Sequence, residues 1–276
     1  MVKAPYPHSE NIPAGMSHEQ YVEYCLWHLD SHIPEYIVPS ENIAAVLIEP
    51  GLAEGGNWIP SGNFIKGIRK ICDKHGWLMI ADEVLTGLGR TAEMWGMDHY
   101  EVIPDMLIVG KNLSGGIAPC AGVATRDEIL GNNPSASSGS TFAGTPAGCA
   151  AGLKTLEIYK RDKVIDHAKK LAQIAKLRME PWCENYSIVS EARQLGLLMG
   201  ISFNLPDSLA SSDKYDDSFV ARTVRDYMLR NGVWAICDSE STVRMYPALN
   251  MNENVFREAF DIIEDAIITV ESGSEL

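Results

Sequence analysis

Lys111 stands directly after the apolar run Leu107-Ile108-Val109-Gly110 and opens the glycine-bearing turn Asn112-Leu113-Ser114-Gly115-Gly116. Asp82 follows a second apolar run, Trp77-Leu78-Met79-Ile80-Ala81, and opens the loop Glu83-Val84-Leu85-Thr86-Gly87-Leu88-Gly89-Arg90-Thr91. A primary amine at one strand end can hold an aldehyde as a Schiff base, and a carboxylate at another can keep a ring nitrogen protonated. Pyridoxal 5'-phosphate chemistry needs that pair of groups. Spacing admits two other readings of Lys111. A nucleotide P-loop requires a glycine where Asp105 stands and a Ser or Thr where Asn112 stands, so that reading fails. A surface lysine beside a turn stays open on pattern alone.

The elements that must position these residues alternate in type. The apolar run over 43–49 has strand length and suits burial on both faces of a parallel sheet. A helix is expected over 61–74, with Phe64, Ile65, Ile68, Ile71 and Cys72 on one stripe and Gly76 ending it. A strand over 77–81 follows. Strand, helix, strand at this spacing is a βαβ unit, and parallel strands make the class α/β. Two more strands are expected over 106–109 and 120–124. Glu49, Asp82 and Lys111 then all fall at the carboxyl ends of strands, where open α/β sheets collect ligands.

Around this centre, a helix is expected over 17–30, with Ser17 as its cap and Gln20 at the capping-box position. Thr145 caps another, with Pro146 in its first position, running to 160. A further helix is expected over 162–184. Beyond it come shorter strands at 187–192, 200–203, 233–236 and 243–245, mixed with helices. The last helix carries Val255, Phe256, Ala259, Phe260, Ile263 and Ala266 at helical spacing. Two domains are therefore expected, over 1–160 and 161–276, the second a small α+β domain.

At 276 residues the chain can bury a substantial core, and its net charge of −14 argues against nucleic-acid binding, which needs a basic face. The N-terminal residues lack the apolar core of a signal peptide, and no run approaches the roughly 18 apolar residues of a membrane span. Cys25, Cys72, Cys120, Cys149, Cys183 and Cys237 are scattered and form no Cys-x-x-Cys. They read as buried thiols in a reducing cytoplasm. His28 and His32 can share a helix face, but no third ligand accompanies them, and no metal is expected.

Four segments carry a family resemblance. Glu49-Pro50-Gly51-Leu52-Ala53-Glu54-Gly55-Gly56 resembles the Glu-Pro-x-x-x-Glu-Gly-Gly segment of class III pyridoxal-phosphate aminotransferases. Asp82-Glu83-Val84-Leu85-Thr86-Gly87-Leu88-Gly89-Arg90-Thr91 is similar to their Asp-Glu-Val-x-Thr-Gly-x-Gly-Arg-Thr signature. Pro104-Asp105 and Gly110-Lys111 follow in family order. Ser140-Thr141-Phe142-Ala143-Gly144-Thr145-Pro146 resembles Ser-Thr-Phe-Gly-Gly-Asn-Pro. The similarity runs from Pro5 to the final helix but covers only the C-terminal part of the family's length.

The resemblance implies the C-terminal part of a fold-type I transferase: a partial, mixed, mostly parallel sheet with helices, plus the small α+β domain. It implies pyridoxal 5'-phosphate bound covalently by Lys111, with Asp82 on the pyridinium nitrogen and Val84 against one ring face. It also implies phosphate contacts from Ser140 and Thr141, usually across a dimer interface. Arg244, in Thr242-Val243-Arg244-Met245-Tyr246-Pro247-Ala248-Leu249, matches the arginine that grips a substrate carboxylate, though a structural salt bridge remains open for it. Glu54 matches the glutamate that neutralises this arginine when the substrate lacks a carboxylate.

The expected activity is transfer of an amino group between an amine or amino acid and a 2-oxo acid such as pyruvate or 2-oxoglutarate. Alternatives are a racemase, aminomutase or decarboxylase on the same fold, or a non-catalytic regulatory or assembly subunit. A separate polypeptide carrying the family's N-terminal half is the expected partner, with a proteolytic or cloning fragment as the other explanation. The assembly is expected to be a homo- or hetero-oligomer with shared sites. Leu85 stands where relatives often carry a glutamine that bonds the cofactor's ring hydroxyl. Ala92 and Ala248 replace a family glycine and proline.

Overall fold

The computed structural model describes residues 1–131, 143–206, 216–237 and 241–274. The chain divides into two compact units. The first comprises Met1–Gly51, Ile59–Leu88 and Met94–Arg161; the second comprises Leu52–Trp58, Gly89–Glu93 and Asp162–Leu276.

In the first unit, the Ser17 hydroxyl accepts the Gln20 amide and the Gln20 side chain accepts the Ser17 amide. This is the capping box that starts α1 (His18–Trp27). Helical winding does not stop near Asp30. It widens into a π-helix, His28–Ile37, that contains Pro34. Proline has no N–H to donate and crowds the carbonyl a turn back, so a wider turn is one way to carry the chain past it.

Strand β1 (Ala45–Ile48), helix α2 (Gly62–His75) and strand β2 (Leu78–Asp82) form the expected βαβ unit. Ser61 caps α2 by accepting the Phe64 amide, and Gly76 ends it at φ 73°. Strand β3 (Met106–Val109) pairs parallel to β2, and β4 (Gly122–Thr125) pairs antiparallel to β3. The sheet order is β1-β2-β3-β4. A single turn, α3 (Asp127–Leu130), follows, and α4 (Pro146–Arg161) begins as expected after Thr145, whose hydroxyl accepts the Gly148 amide at 3.4 Å.

One face of this sheet is core. Ile48, Met79 and Ala81 join Val22 and Cys25 of α1 and Phe64, Ile65, Ile68 and Cys72 of α2 in one buried cluster. The opposite face aligns Leu47, Ile80 and Met106 in register, with Ile108 opposite Val123. Leu47 is 52% exposed and Val123 50%, and the others are only partly buried. Strands that read as fit for burial on both faces are thus fully packed on one.

The second unit opens with α5 (Val164–Met179) and α6 (Trp182–Asn185). The single helix expected over 162–184 is interrupted at Pro181. Strands β5 (Val189–Leu195) and β6 (Leu198–Phe203), helix α7 (Asp217–Arg230), strands β7 (Ile236–Cys237) and β8 (Thr242–Met245), and helix α8 (Glu253–Glu271) complete it. Its sheet is antiparallel in the order β5-β6-β8-β7. Trp182, Ile201, Phe203, Val224, Val243, Phe256 and Phe260 form its buried centre.

Candidate active site

Asp82 is the last residue of β2 and its Cα partner is Ile108 on β3. The Glu83 amide donates to the Ile108 carbonyl at 2.9 Å, which extends the pairing past the end of β2. The Val84 amide donates to Asp82 Oδ1 at 3.0 Å, so the carboxylate is fixed by its own loop. Val84 lies against Gly110: a Cβ there would sit 3.4 Å from Val84 Cγ1. Glycine at 110 therefore lets the valine approach the residue that precedes the lysine.

Lys111 opens the turn Lys111–Ser114 with φ 42°, in the left-handed region. That torsion turns the chain sharply off the strand. Helix α4 packs against this turn, with Gly152, a Cβ on which would lie 3.4 Å from the Leu113 carbonyl, at the contact. The lysine is exposed, and its amine makes no hydrogen bond or ion pair among the described residues. Asp82, Val84 and Lys111 thus gather at the carboxyl ends of two adjacent strands, with Glu49 just past the end of β1. An amine and a carboxylate at the ends of adjacent strands, the carboxylate with one oxygen already engaged, are a donor set that fits an aldehyde cofactor with a basic ring nitrogen. Ser140 and Thr141 lie outside the described residues.

Glu83 plays a part that its sequence position does not show. Its carboxylate is buried, accepting the Gly96 amide at 2.8 Å, the Met97 amide at 2.9 Å and the Thr86 hydroxyl. Burial pushes its pKa up, and the negative charge of Asp98 adds to this, against the three donors that favour the ionised form. One side chain therefore closes the 83–97 loop back onto the end of β2. A strand-end glutamate beside the more conspicuous Asp82 carries no local signal of such a role.

In the second unit, Arg244 sits on β8 opposite Gly200 on β6 and Ile236 on β7. Its Nη1 donates to Glu54 Oε2 and to the Ala53 carbonyl, each at 3.2 Å, and to the Tyr246 hydroxyl at 3.4 Å. Segment Leu52–Trp58 lies over this strand because Gly200 has no side chain: a Cβ there would fall 2.7 Å from the Gly56 carbonyl. Arg193 holds the segment as well. It donates to the Gly56 carbonyl at 2.8 Å and stacks 3.6 Å over the Trp58 ring.

The Arg244–Glu54 pair is lopsided. The arginine side chain is 5% exposed and the glutamate 80%. Water therefore screens the carboxylate end of the pair but not the guanidinium end, and the exposed glutamate has the greater freedom to move. Sequence reasoning brought these two residues together. It did not find Asn57 and Tyr246, which meet at 2.8 Å although 189 residues apart.

The class-III aminotransferase family model matches residues 1–267. The chain is 29% identical over 264 residues to the probable 4-aminobutyrate aminotransferase of Bacillus subtilis, covering 95% of this chain and 59% of that protein. It is 30% identical to the leucine/methionine racemase of Thermococcus litoralis, over 98% of this chain and 59% of the relative. Among solved structures, the acetylornithine aminotransferase of Elizabethkingia anophelis superposes with a TM-score of 0.76 at 32% identity, over 88% of this chain and 58% of that one. The chain therefore spans about three-fifths of the length of these relatives. Class III aminotransferases depend on pyridoxal phosphate and share the fold-type I architecture. With its strand-end aspartate and lysine in that setting, the chain belongs to the class-III aminotransferase family.

Proposed function

We propose that this chain is the cofactor-lysine-bearing part of a transaminase that moves an amino group between an amine or amino acid and a 2-oxo acid such as pyruvate or 2-oxoglutarate. One observation carries the reading: a free Lys111 amine and the Asp82 carboxylate stand at the ends of adjacent strands in a class-III chain. Lys111 is the covalent anchor of pyridoxal 5'-phosphate, Asp82 holds a proton on its ring nitrogen, and Val84 supports one ring face. Ser140 and Thr141 take the phosphate. When bound, the cofactor supplies an electron-accepting ring.

The remaining work falls to this chain's side chains. Lys111 Nζ, once released, takes the proton from the substrate's amine-bearing carbon, a step for which a positioned base gives roughly 10²–10⁴-fold. Asp82 would offer its carboxylate to the ring nitrogen, and each pKa unit of such support is about 1.4 kcal/mol. Arg244 grips the carboxylate of the 2-oxo acid by a two-point fork. Glu54 takes back the guanidinium when the donor amine carries no carboxylate there.

The first unit corresponds to the C-terminal half of a large cofactor-binding domain, and the second to the small domain. A separate N-terminal-half polypeptide completes the enzyme. The open face of the sheet, with Leu47 and Val123 half-exposed, supports that reading, because apolar strands of this kind are normally covered. The assembly is an oligomer with shared sites. The cytoplasm is its proposed location, a reading supported by six cysteines scattered along the chain with no Cys-x-x-Cys among them.

Borohydride treatment of the complete protein should fix the cofactor on Lys111, read as a mass increment on its peptide. Added pyruvate or 2-oxoglutarate should be converted stoichiometrically to an amino acid. Labelling elsewhere, or none, would sink the lysine assignment. The match to a leucine/methionine racemase over nearly the whole chain favours one second reading, racemisation at the same lysine. That reading predicts inversion of an amino acid with no new amine from added 2-oxo acid.

A further inference from the structure

Asn57 is fully buried, and its side-chain nitrogen donates to the Met199 carbonyl at 2.6 Å. That bond decides which way the amide faces, because a carbonyl can only accept. The Asn57 oxygen is therefore turned toward Tyr246, whose hydroxyl donates to it at 2.8 Å. With its one proton committed there, the Tyr246 oxygen has only lone pairs left to offer. They face Arg244 Nη1 at 3.4 Å. The polarity of the chain Met199, Asn57, Tyr246, Arg244 is thus set from end to end by a backbone carbonyl of β6.

The arginine needs such a brace. Its charge is nearly dry, with a side chain only 5% exposed, while its ionic partner Glu54 is 80% exposed and open to solvent. When Glu54 swings into solvent, Nη1 keeps its bonds to the Ala53 carbonyl and the Tyr246 hydroxyl. A guanidinium held in place loses less freedom when a carboxylate arrives, and that saving appears as affinity.

We propose that Tyr246, oriented by Asn57, is a positioning residue that keeps Arg244 aimed at an incoming carboxylate after Glu54 has moved away. Tyr246 itself touches no substrate and acts through the arginine. The inference rests on the carboxylate-binding role of Arg244 in the proposed function. It adds that the 2-oxo acid is selected by a fixed arginine with a mobile glutamate, rather than by two mobile groups.

The test is Tyr246→Phe in the complete enzyme, with 2-oxoglutarate as the probe. A hydrogen bond to a charged group supports an effect of about tenfold. KM for 2-oxoglutarate should rise about tenfold with kcat changed less than about twofold. Affinity for 2-oxoglutarate in the cofactor-free protein, measured by calorimetry, should weaken to match. In an Arg244→Ala background the same substitution should change neither value further. Asn57→Gly is the second variant, because Asn57 has φ 59° and glycine keeps that torsion while removing the brace. It should move KM in the same direction.

If Arg244→Ala raises KM but Tyr246→Phe and Asn57→Gly do not, the positioning role is wrong and the arginine's role stands. If Tyr246→Phe lowers kcat equally in both backgrounds, its role is structural and the inference falls. If Arg244→Ala leaves both KM and binding unmoved, the carboxylate role fails and the inference falls with it.

Discussion

Asp82 and Ile108 are Cα partners across parallel strands, and from Ile108 the chain needs only Val109 and Gly110 to reach Lys111. The distance between the proposed acid and the proposed anchor is therefore governed by sheet register rather than by a flexible loop. A parallel register buried on one face resists slipping, because a one-residue shift would turn Met79 and Ala81 out of the core.

Lys111→Ala should abolish turnover and borohydride labelling together. Asp82→Asn should keep the label yet lower the rate by several orders of magnitude, because a neutral amide cannot hold the ring nitrogen charged. Single-turnover absorbance of the complete protein would separate the two. An Asp82→Asn variant within tenfold of wild type would remove the aspartate's role.

Glu83→Ala should destabilise the protein by about 3 kcal/mol. It strands the buried Gly96 and Met97 amides, each costing about 1–3 kcal/mol unpaired. Urea midpoints check this, with Glu83→Gln expected between wild type and alanine, since an amide can accept at one atom but not at both.

Asp105 gives the acid limb of stability. It accepts the Met79 amide and Arg69 Nη1, each at 2.8 Å, and Arg126 Nη2 at 2.9 Å. Burial pushes its pKa up, but the Met79 amide and the two guanidiniums outweigh burial and hold the carboxyl below the usual range. A folded pKa below the unfolded value of about 3.9 means the stabilisation is complete above that pH. It is lost as pH falls through the folded value. Asp105→Asn should therefore be less stable at pH 7 by about 2 kcal/mol and should flatten the loss of stability below pH 4. Equal acid slopes for the two proteins would refute the assignment.

Ile80→Glu, on the partly buried face of the first sheet, should leave the secondary structure intact by circular dichroism and abolish co-purification with an N-terminal-half partner. A charge buried against a covering layer costs several kcal/mol. Unchanged co-purification would mean the partner does not cover this face.

Much of this was legible in the residues themselves. Ser17 with Gln20, Ser61 with Gly76, and Thr145 with Pro146 are local signals, and each acts within a few residues of where it stands. Strand ends at Asp82 and Lys111 followed from apolar runs broken by polar residues. The π-helix was not legible, because Pro34 reads as a stop and only the widened winding shows the chain passing it. Pro181 did carry a breaking signal inside the helix expected over 162–184, and the apolar periodicity on either side masked it. Glu83 and the Asn57–Tyr246 contact depend on burial and on distant chain meeting, which no local pattern encodes.

The left-handed torsion at Lys111 sets chemistry against comfort. A lysine there bears a backbone penalty of roughly 1–2 kcal/mol that asparagine, which bonds locally to its own backbone, largely escapes. Lys111→Asn should thus be catalytically dead and yet melt at or above the parent temperature. Selection for thermal robustness alone would discard this residue, so a hardened variant from such a screen that has lost the lysine would mark the strain being relieved at the expense of turnover.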